Sequence, residues 1–511
     1  MRKWLPLFTV CLGTFMLLID VTIVNVALPD MARELKTSFS SLQWVVDGYA
    51  LTLAALVLGA GSIADRIGHR RAYSGGLALF AIASLACGLA PNSEALIIAR
   101  AVQGVGAAAM FATTFALLNS SYSGRDRGTA YGMWGAVAGA SAAIGPIIGG
   151  ILTQGVSWRW IFFVNLPVSI LAIALCSLVL TDVHAPIRVR VDLPGMVTFT
   201  AAAALATYAL IRATDHGWAS ATTWATLLGA AVLLAVFVAI EARSDHAMLD
   251  LTLLRNRSFA GILIGGLLLT FAAFAMFTYT SIWLQSVLGL SPIEAGLVGL
   301  PLSVASFVVS AGIGRFLHNS APGPIIGGGL LLIGVGGMVG AVLVHGAASW
   351  PQLLPGLLVT GIGVGLATPT LSSAAMSAAP AQRGGMAAGA ANTARQLGFA
   401  FGIAALGSVF SSRAQSVLAD HSVPDAAGVA RALAGGQSAA LLRHVPGGAR
   451  ASLSDALHAA SVAGVQSTLA VSGGVALIAG VIVLITVRPA AKPNQAVRPN
   501  HHGTAEPALS G

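Results

Sequence analysis

The segment GSIADRIGHRR (residues 61–71) closes one apolar run and opens the next, placing Asp65, Arg66, Arg70 and Arg71 between them. Only 9% of the chain is charged. Such a concentration of charge therefore belongs in water or among lipid headgroups, and its basic bias assigns this corner to the cytoplasmic face of a membrane. Any short cytoplasmic loop collects Arg, which is the plainer reading. Gly61 and Gly68 favour a tight, rigid turn, because Gly permits a backbone approach that a merely solvated loop does not need.

Working outward, the chain has 511 residues, is 56% hydrophobic and has a mean hydropathy of +0.83. These values exclude a soluble enzyme. Fourteen apolar runs recur, at 4–28, 43–64, 72–90, 94–118, 129–152, 161–181, 195–213, 222–241, 259–285, 294–314, 324–344, 352–375, 387–411 and 465–487. Each is about long enough to cross roughly 30 Å of hydrocarbon as a helix. The first run follows Met1-Arg2-Lys3-Trp4 at once, no small-residue cleavage site follows it, and Asp20 interrupts it. It reads as a retained span and not a removed signal peptide. With alternating spans, seventeen Lys and Arg fall on the side of residues 61–71 and four on the short loops opposite. Both termini are therefore expected in the cytoplasm. The net charge of +9 is topological and not a nucleic-acid signal. Cys11, Cys87 and Cys176 lie far apart inside spans, with no metal spacing and no disulfide framework.

The two ends of the chain echo one another. Ala60-Gly61 corresponds to Ala311-Gly312, Gly104-Val105-Gly106 to Gly361-Ile362-Gly363, and Arg127-Gly128 to Arg383-Gly384, at offsets of 251, 257 and 256 residues. Equivalent helices keep the same orientation, as parallel repeats about an axis along the membrane normal require. The expectation is an all-α membrane protein. A six-helix bundle over 1–181 is followed by two inserted helices and linkers over 182–258, then a second six-helix bundle over 259–487. Spans seven and eight lack mid-span charge and are expected against lipid. A long outer loop at 412–463 is expected to hold short amphipathic helices at Ala426–Ala434 and 452–463. The tail over 488–511 is expected to be disordered.

Asp20 sits near the middle of the first span, where a carboxylate costs at least about 2.5 kcal/mol unless it faces a cavity or a partner. It reads either as a protonatable or cation-contacting group, or as a structural acid bound to neighbouring helices. Arg100 cannot deprotonate in practice and needs a carboxylate, carbonyls or water, and Gln103 lies one turn on. Arg100 is thus a coupling residue or a packing anchor. Gly135, Gly139, Gly145, Gly149 and Gly150 smooth the fifth span, and Pro146 removes a backbone donor from it. Packing alone accounts for such glycines, while Gly145-Pro146 suggests a hinge or seal. The thirteenth span, its repeat mate, buries Asn392, Arg395 and Gln396. Asp47 lies near the outer interface beside Trp44, as a solvated acid or as a proton or substrate contact. Capping explains Glu294, after Ser291-Pro292. No Walker motif, catalytic triad or metal cluster is legible, so neither enzyme activity nor a cofactor is expected.

These residues resemble the major facilitator superfamily, and within it the fourteen-span drug:proton antiporters of the EmrB/QacA type. Residues 61–71 are similar to the superfamily's cytoplasmic loop, in which Gly61, Asp65, Arg66, Gly68, Arg70 and Arg71 would form a gate. His69 departs from the Arg or Lys usual there. LIDVTIVNVALP (18–29) matches the first-span motif and brings Asn25 beside Asp20 as a candidate. RAVQGVG (100–106), the glycines over 135–150, WRWIFFVNLP (158–167) and DLPG (192–195) are also similar to this family. The resemblance implies a cofactor-free, multi-pass plasma-membrane exporter acting as a monomer on protons and amphipathic or cationic compounds, and conferring drug resistance. The alternative is a dedicated exporter of one endogenous metabolite, antibiotic or siderophore. The abundance of Ala and Gly fits a GC-rich bacterial genome.

Overall fold

The computed structural model describes residues 2–487, apart from 38, 182–191, 217, 219, 245–246, 248, 317–319, 347, 379–383, 444 and 446. Among them there is helix and no strand. The first half holds α1 (Leu5–Leu35), α2 (Phe39–Ile67), α3 (His69–Gly88), α4 (Ser93–Ser121), α5 (Gly124–Gly155), the short α6 (Trp160–Phe163) and α7 (Asn165–Val179). Then come α8 (Leu193–His216), α9 (Ala221–Glu241) and the short α10 (Leu251–Arg255). The second half holds α11 (Arg257–Ala273), α12 (Ala275–Ile282), α13 (Pro292–Val298), α14 (Leu300–Phe316), α15 (Pro322–Leu343), α16 (Leu354–Ala378), α17 (Gly384–Asp420), α18 (Ala426–Ala434), α19 (Ser438–Arg443) and α20 (Gly447–Thr486).

All fourteen apolar runs lie largely on helix. Among the described residues ten helices are long and apolar enough to cross a membrane, or up to eleven with the bent pair Trp44–Val57 and Gly59–Ile67. That pair bends by 56° beside Gly59, whose open face receives the Met196 side chain. Leu193–Ala209 and Leu300–Gly312 are apolar but shorter. Ser291 and Glu294 cap α13 reciprocally, so two otherwise orphaned backbone donors are satisfied.

The repeat read from the sequence reappears as packing. Gly104 of α4 lies against the α2 backbone at Tyr49 and Leu53, and its counterpart Gly361 of α16 lies against the α14 backbone at Leu302. Gly106 meets α3 at Gly76 and Phe80, as Gly363 meets α15 at Gly329 and Ile333. A Cβ at any of these four positions would fall within 3.0 Å of backbone. Small residues here let helices approach to contact, the usual means of packing where lipid removes the hydrophobic drive. The halves meet reciprocally, α5 on α14 and α17 on α2.

The inserted helices differ from each other. Along α9, Trp224, Leu228, Val232 and Leu234 are exposed, forming an apolar surface. In contrast, α8 touches both halves, packing on α2 and on α17. Phe199 and Ala203 join Ala55, Met386 and Ala390 in one buried cluster, so α8 lies along the seam instead of being surrounded by lipid alone.

The expected outer loop is mostly helical. Its first part continues α17 to Asp420, and 452–463 is no separate short helix but the beginning of α20. At 1.5 Å per residue these 37- and 40-residue helices are about 55 and 60 Å long, well beyond a 30 Å hydrocarbon layer. Leu418, Leu433 and Leu457 bury the overhanging ends against α18. The tail over 488–511 lies outside the described residues.

Candidate functional site

A polar network around Asp20 of α1 joins α4 and α7 to it directly, and α2 and α3 through Arg100 and Gln103. From α4, Arg100 Nη1 donates to Asp20 Oδ2 at 2.5 Å and to Gln103 Oε1 at 2.7 Å, while its Nε donates to the Val45 carbonyl of α2 at 3.0 Å. Gln103 Nε2 donates to Asp20 Oδ1 at 3.0 Å and to Ser84 Oγ of α3 at 2.8 Å. From α7, Asn165 Nδ2 also reaches Asp20 Oδ1 at 3.0 Å. The guanidinium lies 4.3 Å from the Tyr49 ring centroid and 5.8 Å from that of Phe162, adding cation–π attraction. Asp20, Ser84, Arg100 and Gln103 have no exposed surface, and Asn165 has 3%.

This is a closed, charge-compensated network inside the first bundle. Asp20, Arg100 and Gln103 are brought together, and Asp20 faces partners instead of an open cavity. Both carboxylate oxygens are engaged, so substrate has no access to them in this conformation. The negative charge of Asp20 compensates Arg100 through a single Nη1 bond, and Nη2 makes none. Ser84, Tyr49 and the Val45 carbonyl were not singled out from the sequence, because a Ser or Tyr in an apolar span is ordinary packing. Asn165 did carry a signal, within residues 158–167. The side chains of Asn25 and Asp47 lie outside the described residues.

The seam between the halves is built on α5. A Cβ at Gly135 would lie 3.3 Å from Pro369 Cδ, one at Gly139 2.9 Å from Ser306 Oγ, and one at Gly150 2.8 Å from Ile293 Cγ1. Gly145 differs, since it faces Thr22 of α1 within its own half. Gly149 is buried, and the side chain of Pro146 lies outside the described residues. Across the seam, Asn392 Nδ2 of α17 donates to the Phe111 carbonyl of α4 at 3.3 Å. One turn later the Arg395 guanidinium lies 5.8 Å from the Trp134 ring of α5. Trp134 is held by its Nε1 donating to Thr14 Oγ1 at 3.1 Å and by the edge of Phe115 at 4.4 Å. Arg395 is half-buried, its Nη1 has no hydrogen-bond partner, and no described carboxylate lies within 4 Å of it.

The charged corner is tighter than a loop. Gly61 and Asp65 are helical in α2, and Gly68 alone, at φ +100°, separates it from α3. That backbone conformation favours glycine. Asp65 Oδ1 lies 3.3 Å from His69 Nε2. Burial pushes the Asp65 carboxyl up to about 7. Arg70 donates to the Leu180 carbonyl at 3.1 Å, tying the corner to the end of α7, while Arg66 and Arg71 are exposed. At the opposite end an open cleft of about 410 Å³ is lined by Asp30, Glu34, Thr153, Val156, Ser157 and Trp158. Among the described residues no group of His, Cys, Asp or Glu is arranged to hold a metal ion.

The profile of the Major Facilitator Superfamily matches residues 10–403. The multidrug resistance protein Stp of Mycobacterium tuberculosis is 37% identical over 425 residues, covering 82% of this chain and 79% of that protein. The tetracenomycin C resistance and export protein of Streptomyces glaucescens is 30% identical over 502 residues, covering 95% and 92%. Among solved structures, a human organic anion transporter superposes with a TM-score of 0.62 at 14% identity, covering 94% of this chain and 99% of that one. At that identity the likeness is one of fold alone.

Proposed function

We propose that this chain, which belongs to the Major Facilitator Superfamily, is a fourteen-span exporter that expels drug-like small molecules from a bacterial cell in exchange for protons. The observation that carries the reading is the sealed Asp20–Arg100–Gln103 network, in which the carboxylate of α1 holds groups from α4 and α7. A proton arriving at Asp20 neutralises it, loosens its hold on Arg100 Nη1 and lets α1 shift against α4 and α7. Two packings of one bundle, biased by one proton, are what alternating access needs. The glycine-lined seam of α5 on α14 provides a smooth surface on which the halves rock.

In this reading both termini and the Asp65 corner face the cytoplasm, and that corner with Arg66, Arg70 and Arg71 forms the inner gate. The cycle needs no ATP: one charge crossing 100 mV yields about 2.3 kcal/mol, enough for more than a tenfold gradient of neutral substrate. Relatives named for multidrug, puromycin and methylenomycin A resistance support export of toxic compounds. A relative named for resistance to and export of one compound, matching nearly end to end, favours a second reading as a dedicated exporter.

The test is transport into everted vesicles energised by a proton gradient, with puromycin, tetracenomycin C and methylenomycin A as probes. Accumulation abolished by a protonophore is expected, with several compounds moved by a multidrug pump and one by a dedicated exporter. Accumulation that persists after the proton gradient collapses, or that requires ATP, rules the proposal out.

A further inference from the structure

We infer that Arg395 is the counter-charge for an acidic group on the transported molecule, so that the substrate class is organic anions, carboxylates above all. The inference rests on the efflux reading for its physiological meaning but stands on its own geometry. Two arginines and one carboxylate among the described side chains lie deep in the spans, namely Arg100, Arg395 and Asp20. Arg100 and Asp20 neutralise each other within the first bundle. Arg395 is left as the uncompensated charge, and it lies at the seam where the halves meet.

A cation deep in a membrane protein is costly and marks a transport path or a binding site. Its surroundings leave one guanidinium nitrogen, Nη1, buried without an acceptor, although the Thr270 hydroxyl fixes the backbone beneath it by donating to the Arg395 carbonyl at 2.6 Å. Gly266 lets α11 pack closely on the Arg395 stem, an added Cβ falling 3.3 Å from Cγ, and so holds the side chain in place. Trp134, across the seam, is buried and faces the guanidinium, marking this as a point where the halves meet. A guanidinium fork matches a carboxylate in two parallel hydrogen bonds, which Lys cannot reproduce. A cationic substrate would instead meet like charge at this position.

The experiment uses the full chain in nanodiscs with three probes sharing one ring: 1-naphthoate, 1-naphthamide and 1-naphthylmethylammonium. Binding is read by tryptophan fluorescence. Wild type is expected to bind the naphthoate about tenfold or more tighter than the amide, as a charge-assisted bidentate pair should. Arg395→Gln should bring the two affinities together while leaving that of the amide unchanged, which also shows that the variant is folded. Arg395→Lys should keep part of the preference. No preference for the anion in wild type, or equal loss of both probes in Arg395→Gln, overturns the inference. Vesicle transport separates the two readings. Arg395-dependent anion binding without proton-driven export would sink the efflux reading alone, whereas proton-driven export of the ammonium probe undiminished in Arg395→Gln would sink this inference alone.

Discussion

At the scale of the residue, Asp20 combines two roles that mutation can separate. It compensates Arg100, and removing one member of a buried pair leaves an unpaired charge costing about 3–5 kcal/mol. It is also the proposed proton site. Asp20→Asn should therefore lower the melting temperature and abolish proton-driven accumulation together. The double variant Asp20→Asn/Arg100→Gln removes both charges, so the melting temperature should largely recover, measured in detergent, while accumulation stays lost. Recovery of pumping in the double variant would make the pair purely structural. Unchanged pH-dependent pumping in Asp20→Asn would move the proton site elsewhere, with Asp47 the next acid to test. The sequence exposed the two charged members because ionisable residues inside apolar runs are rare. Ser84 and Tyr49 stayed hidden because nothing in a linear pattern says which face of α3 or α2 turns toward α1.

At the scale of the element, the α2–α3 corner is where pH should act. Asp65 would titrate near 3.8 if exposed and is raised to about 7 by burial. Between those values the packed corner holds a proton that an opened one has released, so its packing advantage falls as pH rises across that window and levels off above it. A cysteine placed at the buried neighbouring position by Ala64→Cys should then react faster with a water-soluble maleimide at pH 8 than at pH 5.5, with Cys11, Cys87 and Cys176 buried and silent. Asp65→Asn should flatten that dependence after correction for thiol ionisation. His69→Gln should retain it, and loss in that variant instead would assign the switch to the imidazole. The corner was legible as a corner because charge is scarce in this chain, yet its one-residue joint was not. Residues 61–67 look like loop by composition but continue α2, since the last turn of a span can carry charge into the headgroups. The same limit applied at the other end, where the polar outer portions of α17 and α20 read as loop although they pack on α18.

At the scale of the whole molecule, the glycine repeats have a counterpart in packing, because Gly104 and Gly361 meet equivalent partners in the two halves. The position of α8 was not legible, since an apolar helix suits a protein seam as well as it suits lipid. Function at this scale is a matter of charge moved per cycle. With one proton entering, export of a neutral molecule carries one positive charge inward. Export of a monoanion is equivalent to two, and export of a monocation to none. At 100 mV, negative inside, the potential then contributes about 2.3, 4.6 and 0 kcal/mol respectively. A tenfold gradient takes about 1.4 kcal/mol, so the steady-state ratio should steepen by roughly fiftyfold per 100 mV for 1-naphthamide and by three orders of magnitude or more for 1-naphthoate. Proteoliposomes with equal pH on both sides and a potential clamped by potassium and valinomycin would measure both slopes. Only a carrier that couples one proton to an Arg395-bound anion gives a naphthoate slope twice the amide slope on a logarithmic scale. Equal slopes for the two probes would show that the anion leaves with its own proton, so that Arg395 releases it neutralised and the cycle gains nothing from its charge.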